Sequence, residues 1–381
     1  MSLHTLQIGM EWFAERPGGL NRVYAHLLAE LALQGVKSCG LVAGTPAVVR
    51  SSGGLACAFA NADASLATRL RGVRAAALPW LRTHGSDAVV ASHFALHALP
   101  LLDHLRLRPF VVHFQGPWGV ESRLEGASRF SAMNRELIER QVYGRATAAI
   151  VLSTAFADIL ETRFGVRRER INVIPGGVEA SRFDHPRSPL ECRAELGWPT
   201  DRPIILCVRR LVRRVGLDAL IDAAVDIRRR VPEALILIAG TGRLQVELEA
   251  RIERLGLGET VRLLGFVPDD VLPLAYRAAD LTVVPSLALE GFGLVTVESL
   301  AAGTPCLVTP VGGLSEIVTP LAPQLVTASP RAADIGDALA GALLGERPMP
   351  ASKHCADYAR TNFDWPVVAT RVRAVYEQTR A

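Results

Sequence analysis

No two of the six cysteines fall close together; Cys39, Cys57, Cys192, Cys207, Cys306 and Cys355 are scattered singly. Without paired spacing, neither a zinc site nor a dithiol redox site is expected, and the thiols read as small apolar residues in a reducing compartment. No stretch approaches the roughly eighteen uncharged apolar residues of a membrane-crossing helix. The chain opens Met1-Ser2-Leu3-His4-Thr5, with no basic region leading into an apolar one. No secretion signal is therefore expected, and a cytoplasmic location follows as the expectation. Asp-x-Asp does not occur, so the sequence offers no such carboxylate pair to a metal-bound phosphate, and no metal site is expected. Lysine is nearly absent, standing only at Lys37 and Lys353.

What is present is a globular composition, 49% hydrophobic and 21% charged, over 381 residues. That length exceeds one ordinary domain and suits two, each able to bury its own core. The net charge of +4 is unevenly placed: up to Asp184 there are 20 Lys+Arg against 15 Asp+Glu. A mildly basic first half suits an anionic partner, such as a phosphate-bearing acceptor or a membrane surface, and is too dilute to indicate nucleic acid.

Short β-rich runs alternate with longer amphipathic ones almost from end to end. Strands are expected at Leu3–Gly9, Lys37–Val42, Ala88–Ser92, Pro109–Phe114, Ala148–Leu152 and Ile171–Ile174. They resume at Pro203–Val208, Leu235–Ala239, Val261–Gly265, Leu281–Pro285 and Pro305–Thr309. Helix-like stretches between them include Leu20–Leu33, Phe130–Tyr143, Leu217–Arg230, Leu244–Leu255 and Leu294–Ala302. Strands apolar on both faces and alternating with helices indicate parallel sheets covered by helices. The pattern loosens from Pro175-Gly176-Gly177 through Asp184-His185-Pro186-Arg187-Ser188-Pro189, which reads as a linker. The expected organisation is an α/β protein of two Rossmann-like, doubly wound domains, 1–175 and 203–362, joined by 176–202. Ligands of such sheets sit at the carboxyl ends of strands and, with two domains, in the cleft between them.

The densest motif is Glu290-Gly291-Phe292-Gly293-Leu294-Val295-Thr296-Val297-Glu298, directly after the strand ending Val284-Pro285-Ser286. Two glycines allow a tight turn and close approach to a ligand. The helix opened by that turn presents unpaired N–H groups suited to a phosphate or carboxylate. Two carboxylates would repel a phosphate, so the partners expected for Glu290 and Glu298 are neutral hydroxyls, as on a sugar and a ribose. A turn with a solvated Glu and a helix glutamate is the plainer account, and the coincidence of all parts weighs against it. Arg210 follows the first strand of the second domain, where a planar guanidinium suits a diphosphate. Gly18-Gly19 opens the first helix and could present N–H groups to phosphates, although a Gly-Gly pair alone is usually a loop. Gly240-Thr241-Gly242 lacks a dinucleotide fingerprint's third glycine, since position 245 is Gln.

Taken together, Glu-x7-Glu, Ala302-Gly303-Thr304-Pro305 and Val311-Gly312-Gly313 resemble the family-4 retaining glycosyltransferases of the GT-B fold. Further matches, in family order, are Gly18-Gly19, Ile174-Pro175-Gly176-Gly177-Val178, Arg210-Leu211, Gly240-Thr241-Gly242, Leu264-Gly265-Phe266-Val267, Phe363-Asp364-Trp365 and Val375-Tyr376-Glu377. The resemblance implies two Rossmann-like domains facing across a cleft, the first on the acceptor side and the second on the donor side, with a closing helix (363–381) returning to the first. It implies a nucleotide-sugar donor as substrate, no cofactor and no metal, and a sugar or lipid-linked sugar acceptor in polysaccharide or glycolipid synthesis. In this resemblance Glu290 orients the donor sugar and Glu298 binds the ribose. Gly19, Arg210, Gly291, Phe292, Gly293 and Leu294 line the phosphates and sugar, Val267 borders the base, and His113 faces the sugar from the first domain. Where the family has Gly before the Arg and Lys five residues after it, this chain has Arg209 and Val215; Arg213 or Arg214 is expected to supply the second cation, with Arg214 preferred.

Two other readings are a sugar-nucleotide epimerase of the same architecture and a non-catalytic sugar-nucleotide binding protein. Leu66-Ala67-Thr68-Arg69-Leu70-Arg71-Gly72-Val73-Arg74, continuing to Trp80 and Arg82, interleaves arginine with apolar residues. It raises peripheral contact with the inner membrane surface, but a helix packed on its own sheet explains the pattern as well and is favoured.

Overall fold

The eleven runs expected as strands are strands in the computed structural model, which describes residues 2–380. A further strand, β3 (Ala56–Ala60), was not expected. Its sequence, Ala-Cys-Ala-Phe-Ala, is small and weakly β-forming, and it lies at a sheet edge. In the first sheet β3 follows β1 (His4–Glu11) and β2 (Lys37–Ala43) in the chain. It precedes β4 (Val89–Ser92), β5 (Phe110–Phe114), β6 (Ala148–Val151) and β7 (Ile171–Val173). The seven strands are parallel, in the order β3-β2-β1-β4-β5-β6-β7. A second parallel sheet is built from β8 (Ile204–Val208), β9 (Leu235–Ala239), β10 (Val261–Gly265), β11 (Leu281–Val284) and β12 (Cys306–Val308). Its order is β10-β9-β8-β11-β12.

Each sheet has the doubly wound topology. Strand order reverses between β1 and β4 in the first and between β8 and β11 in the second. Loops leaving the two strands at a reversal diverge to opposite faces, which opens a crevice at the carboxyl ends. The interior strands β4 and β9 are buried throughout, as both-sided helix coverage requires. All six cysteines are unpaired, and Cys207 and Cys306 lie wholly inside the second core.

The chain forms two compact units, one running to Gly177 and resuming at Trp365, the other Val178–Asp364. Most of the segment read as a linker, 176–202, therefore belongs to the second unit. It carries the Pro189–Leu196 helix, started by a capping box in which Ser188 and Glu191 satisfy each other's backbone N–H groups. Arg193 on that helix is buried; its Nη2 donates to Asp280 at 2.6 Å and its Nε to the Ala278 carbonyl at 2.8 Å. The loss of periodicity marked irregular backbone but not a free tether.

The final helix, Trp365–Arg380, is part of the first unit. Its Trp365 ring stacks on His26 at 5.7 Å, Arg373 donates to the Gln34 carbonyl at 3.0 Å, and Arg380 pairs with Asp87 at 2.6 Å. The Leu66–Thr83 helix buries Val73, Ala77 and Leu81, and its Arg74 pairs with Asp103. That is the packing of a surface helix on its own sheet.

Candidate functional site

In the second unit the strand reversal brings the ends of β8 and β11 together, and charge collects there. Arg209 and Arg210 follow β8 directly. Adjacent residues of extended chain point to opposite sides, and here Arg210 is exposed while the Arg209 side chain keeps 10% of its surface. Arg209 turns onto the loop after β11, where its Nη2 pairs with the Glu290 carboxylate and donates to the Ser286 hydroxyl at 3.1 Å. Ser286 in turn donates to Glu290 at 2.8 Å. Glu290 is 8% exposed. Burial alone would raise its pKa; the Arg209 guanidinium, the Ser286 hydroxyl and the Arg214 charge outweigh burial and lower it. The carboxylate is thus held ionised and in one orientation inside an otherwise apolar turn.

Two glycine motifs hold this arrangement from behind. Gly240, with φ +141°, sits so close to the Arg209 carbonyl that any Cβ would collide with it. The Arg209 N–H also bonds the Ala239 carbonyl at 2.9 Å and the Leu211 N–H bonds the Thr241 carbonyl at 3.0 Å. Gly312, with φ +58°, does the same to the Glu290 carbonyl, which also accepts the Gly313 N–H at 2.9 Å. These glycines are required for backbone-to-backbone packing that places the charged pair. Gly312→Ala is expected to cost about 2–4 kcal/mol, combining a left-handed backbone with an overpacked contact, as read from urea unfolding.

Gly291, Phe292 and Gly293 are buried beyond Glu290, and the helix Leu294–Ala301 begins with Leu294 half-buried. Glu298 lies on the second turn of this helix, 6% exposed, and accepts a 2.9 Å bond from the Tyr276 hydroxyl. Val267 is half-buried, two residues beyond the end of β10, next to an exposed Phe266. Val215, at the position where the resembling family carries Lys, is 2% exposed and packs into the hydrophobic core. Arg213 points away to an exposed pair with Glu247 at 3.0 Å. Arg214 instead lies along the Glu290 loop, its Nη1 donating to the Leu289 carbonyl at 3.3 Å. Of the two arginines left open by the sequence, Arg214 is the one beside Glu290.

In the first unit, Gly18 and Gly19 are exposed, and Gly19 begins the helix Gly19–Leu33 after β1. A methyl group at Gly18 would meet nothing within 4 Å, so internal packing does not demand glycine there. His113, near the end of β5, is buried in a polar network that spans the chain. Its Nε2 meets the Tyr376 hydroxyl at 2.7 Å; Tyr376 also reaches Gln7 Oε1 at 3.2 Å; and His93 Nε2 meets the same oxygen at 2.9 Å. The His93 and His113 rings stack at 4.0 Å. Burial lowers the His113 pKa to about 3 and that of His93 well below the ordinary value, so both are neutral near pH 7. Tyr376→Phe would strip buried His113 of its partner and is expected to cost about 1–3 kcal/mol, measurable as a lowered urea midpoint.

Sequence reasoning missed Arg209 as a participant, and also Ser286, Tyr276 and Tyr376. The position of Arg209 directly after β8 was the available signal, since one of two adjacent residues at a strand end must face inward.

The architecture recurs widely. Anabaena Alr3699/HepE, solved in complex with UDP and glucose, superposes with TM-score 0.77 at 19% identity, covering 99% of this chain and 100% of that one. Sucrose-phosphate synthase from Thermosynechococcus elongatus gives 0.77 at 23%, covering 99% and 98%. Residues 17–182 match the family Glycosyltransferase Family 4, and residues 190–362 match Glycosyl transferases group 1. A D-inositol 3-phosphate glycosyltransferase of Corynebacterium jeikeium is 30% identical over 327 residues, covering 82% of this chain and 78% of that protein. The chain belongs to the family-4 glycosyltransferases of the GT-B fold. The chain is also 39% identical over 222 residues to a D-inositol 3-phosphate glycosyltransferase of Nocardia farcinica, covering 56% of this chain. That alignment spans 49% of the Nocardia protein's length, about half.

Proposed function

We propose that this transferase moves a sugar from a nucleotide-sugar donor to an acceptor hydroxyl, retaining the anomeric configuration and requiring no metal, in polysaccharide or glycolipid synthesis. The observation that carries the reading is the pair of buried carboxylates, Glu290 and Glu298, nine positions of one loop and helix, with Arg209, Arg210 and Arg214 around the same strand ends. Glu290 accepts hydrogen bonds from donor sugar hydroxyls, and Glu298 from the ribose. Arg210, Arg214 and the N–H groups of Gly291 to Leu294 stabilise charge on the departing diphosphate. Val267 borders the base, and the family resemblance assigns Gly19 to the donor's phosphates and His113 to its sugar. The acceptor hydroxyl attacks from the face that the diphosphate leaves, forming the new glycosidic C–O bond as the old one breaks, and a donor phosphate oxygen takes the hydroxyl proton.

The names of relatives that act on inositol 3-phosphate support placing phosphorylated polyols among the first acceptors tried, beside lipid-linked sugars. The test is a thermal-shift screen with UDP-, GDP- and ADP-sugars, followed by transfer with a chelator present and NMR of the product's anomeric centre. A ligand at a hundredfold excess over its Kd should add about 2.7 kcal/mol of stability. Inverted product would overturn retention, and loss of turnover on chelation would overturn metal independence. Isomerisation of the donor sugar with no acceptor present would favour an epimerase.

A further inference from the structure

The apolar stripe that stays uncovered in the first unit is not the one marked by the arginine-rich Leu66–Thr83 segment. It lies on the helix Arg129–Tyr143 and its neighbour Trp118–Leu124. Phe130, Met133 and Leu137, at helical spacings of three and four, are 70%, 53% and 50% exposed, and Leu124 on the neighbouring helix is 49% exposed. The opposite face of the longer helix is well buried through Ala132, Glu139, Val142 and Tyr143, so the exposed stripe is not a poorly packed core face. Glu139 fixes the two helices together by accepting the N–H groups of Trp118 at 2.8 Å and Gly119 at 2.9 Å.

The stripe borders a groove of about 630 Å³ whose charged lining is one-sided. Arg123, Arg129, Arg140 and Arg163 stand there against a single acid, Glu136, which pairs with Arg140 at 3.2 Å and Arg163 at 2.7 Å. Long apolar side chains exposed on one helix face, beside a groove lined by arginines, match the profile of an interfacial membrane helix. An isologous contact between two copies would bring this arginine-rich rim against itself, with like charges facing. An anionic lipid surface supplies both what the apolar stripe and what the cations need.

We infer that this face docks on an anionic phospholipid bilayer, with Phe130, Met133 and Leu137 entering the headgroup–acyl boundary and Arg123 and Arg129 meeting lipid phosphates. The inference stands apart from the sugar-transfer reading, because vesicle partition is measured without substrate. Full-length protein is expected to sediment with vesicles containing phosphatidylglycerol at least tenfold more strongly than with pure phosphatidylcholine, and less strongly as salt rises. The variant Phe130→Ser/Met133→Ser/Leu137→Ser should lose at least tenfold in partition, with an unchanged melting temperature and unchanged turnover on a soluble acceptor. Phe130→Trp provides an independent readout, its emission shifting to the blue and being quenched by brominated lipid on binding. Equal partition of wild type and triple variant, no preference for anionic vesicles, or a wild-type dimer dispersed by the triple substitution would each overturn the inference.

Discussion

Arg209→Met is expected to lower stability by about 3–5 kcal/mol at neutral pH, because it leaves the Glu290 carboxylate buried without its cation. Burial, Ser286 and the smaller effect of the Arg214 charge persist in the variant, but the Arg209 guanidinium that does most to hold the carboxyl down is gone. The sign of the pH dependence should therefore reverse. In the wild type the lowered pKa makes Glu290 a source of stability above its ordinary value of 4.5, lost as the pH falls below it. In the variant, burial raises the folded pKa, so the variant's deficit should be smallest below about pH 4.5, where the carboxyl takes up its proton in both proteins, and should grow as the pH rises through that raised value. Urea unfolding at pH 5 and pH 8 measures the difference. A deficit below about 1 kcal/mol at both would mean that the pair behaves as a solvated surface contact.

Glu290→Gln is expected to lower kcat/KM by about 10²–10³-fold, the range for losing charge-assisted hydrogen bonds that orient a substrate in its transition state. The amide keeps the volume and one acceptor but loses the charge, and it leaves Arg209 unpaired, so instability could imitate lost chemistry. The double variant Arg209→Met/Glu290→Gln separates the two. Removing both ions restores a buried, uncharged contact, and stability should return to within about 1–2 kcal/mol of wild type. Turnover should stay as low as in Glu290→Gln alone. Recovered turnover in the double variant would show that Glu290 serves the fold and not the substrate.

The two predictions share one feature of this chain. The resembling family's pattern places Gly and Lys around Arg210, and this sequence has Arg209 and Val215. Val215 is spent on the hydrophobic core. A guanidinium enters instead from Arg209, on the inner side of the strand end, and is committed to Glu290 rather than left open to a phosphate. Arg210 and Arg214 are the cations proposed for the diphosphate role.

Much of the architecture was legible because it is recorded locally. A parallel strand covered on both faces must be apolar throughout, so β4, β8, β9 and β11 stand out as runs. A helix opened by a glycine turn after such a strand places Glu290 and Glu298 by spacing alone. The edge strand β3 escaped because Ala and Cys carry little β signal, and the capped helix at Pro189–Leu196 escaped because its Ser188–Glu191 box was set among breakers.

The sequence by itself determined two parallel-sheet domains, the turn that carries the acidic pair, and the absence of paired thiols. Tertiary structure alone decided which cation meets which acid, since Arg209 and Glu290 are 81 positions apart and meet only because the second sheet reverses its strand order between β8 and β11. It likewise decided that Tyr376 reaches His113 across 263 positions and Gln7 across 369. Periodicity reports how one element divides between core and solvent, whereas side chains distant in sequence become partners only when strand order and the returning helix place them within about 3 Å of one another.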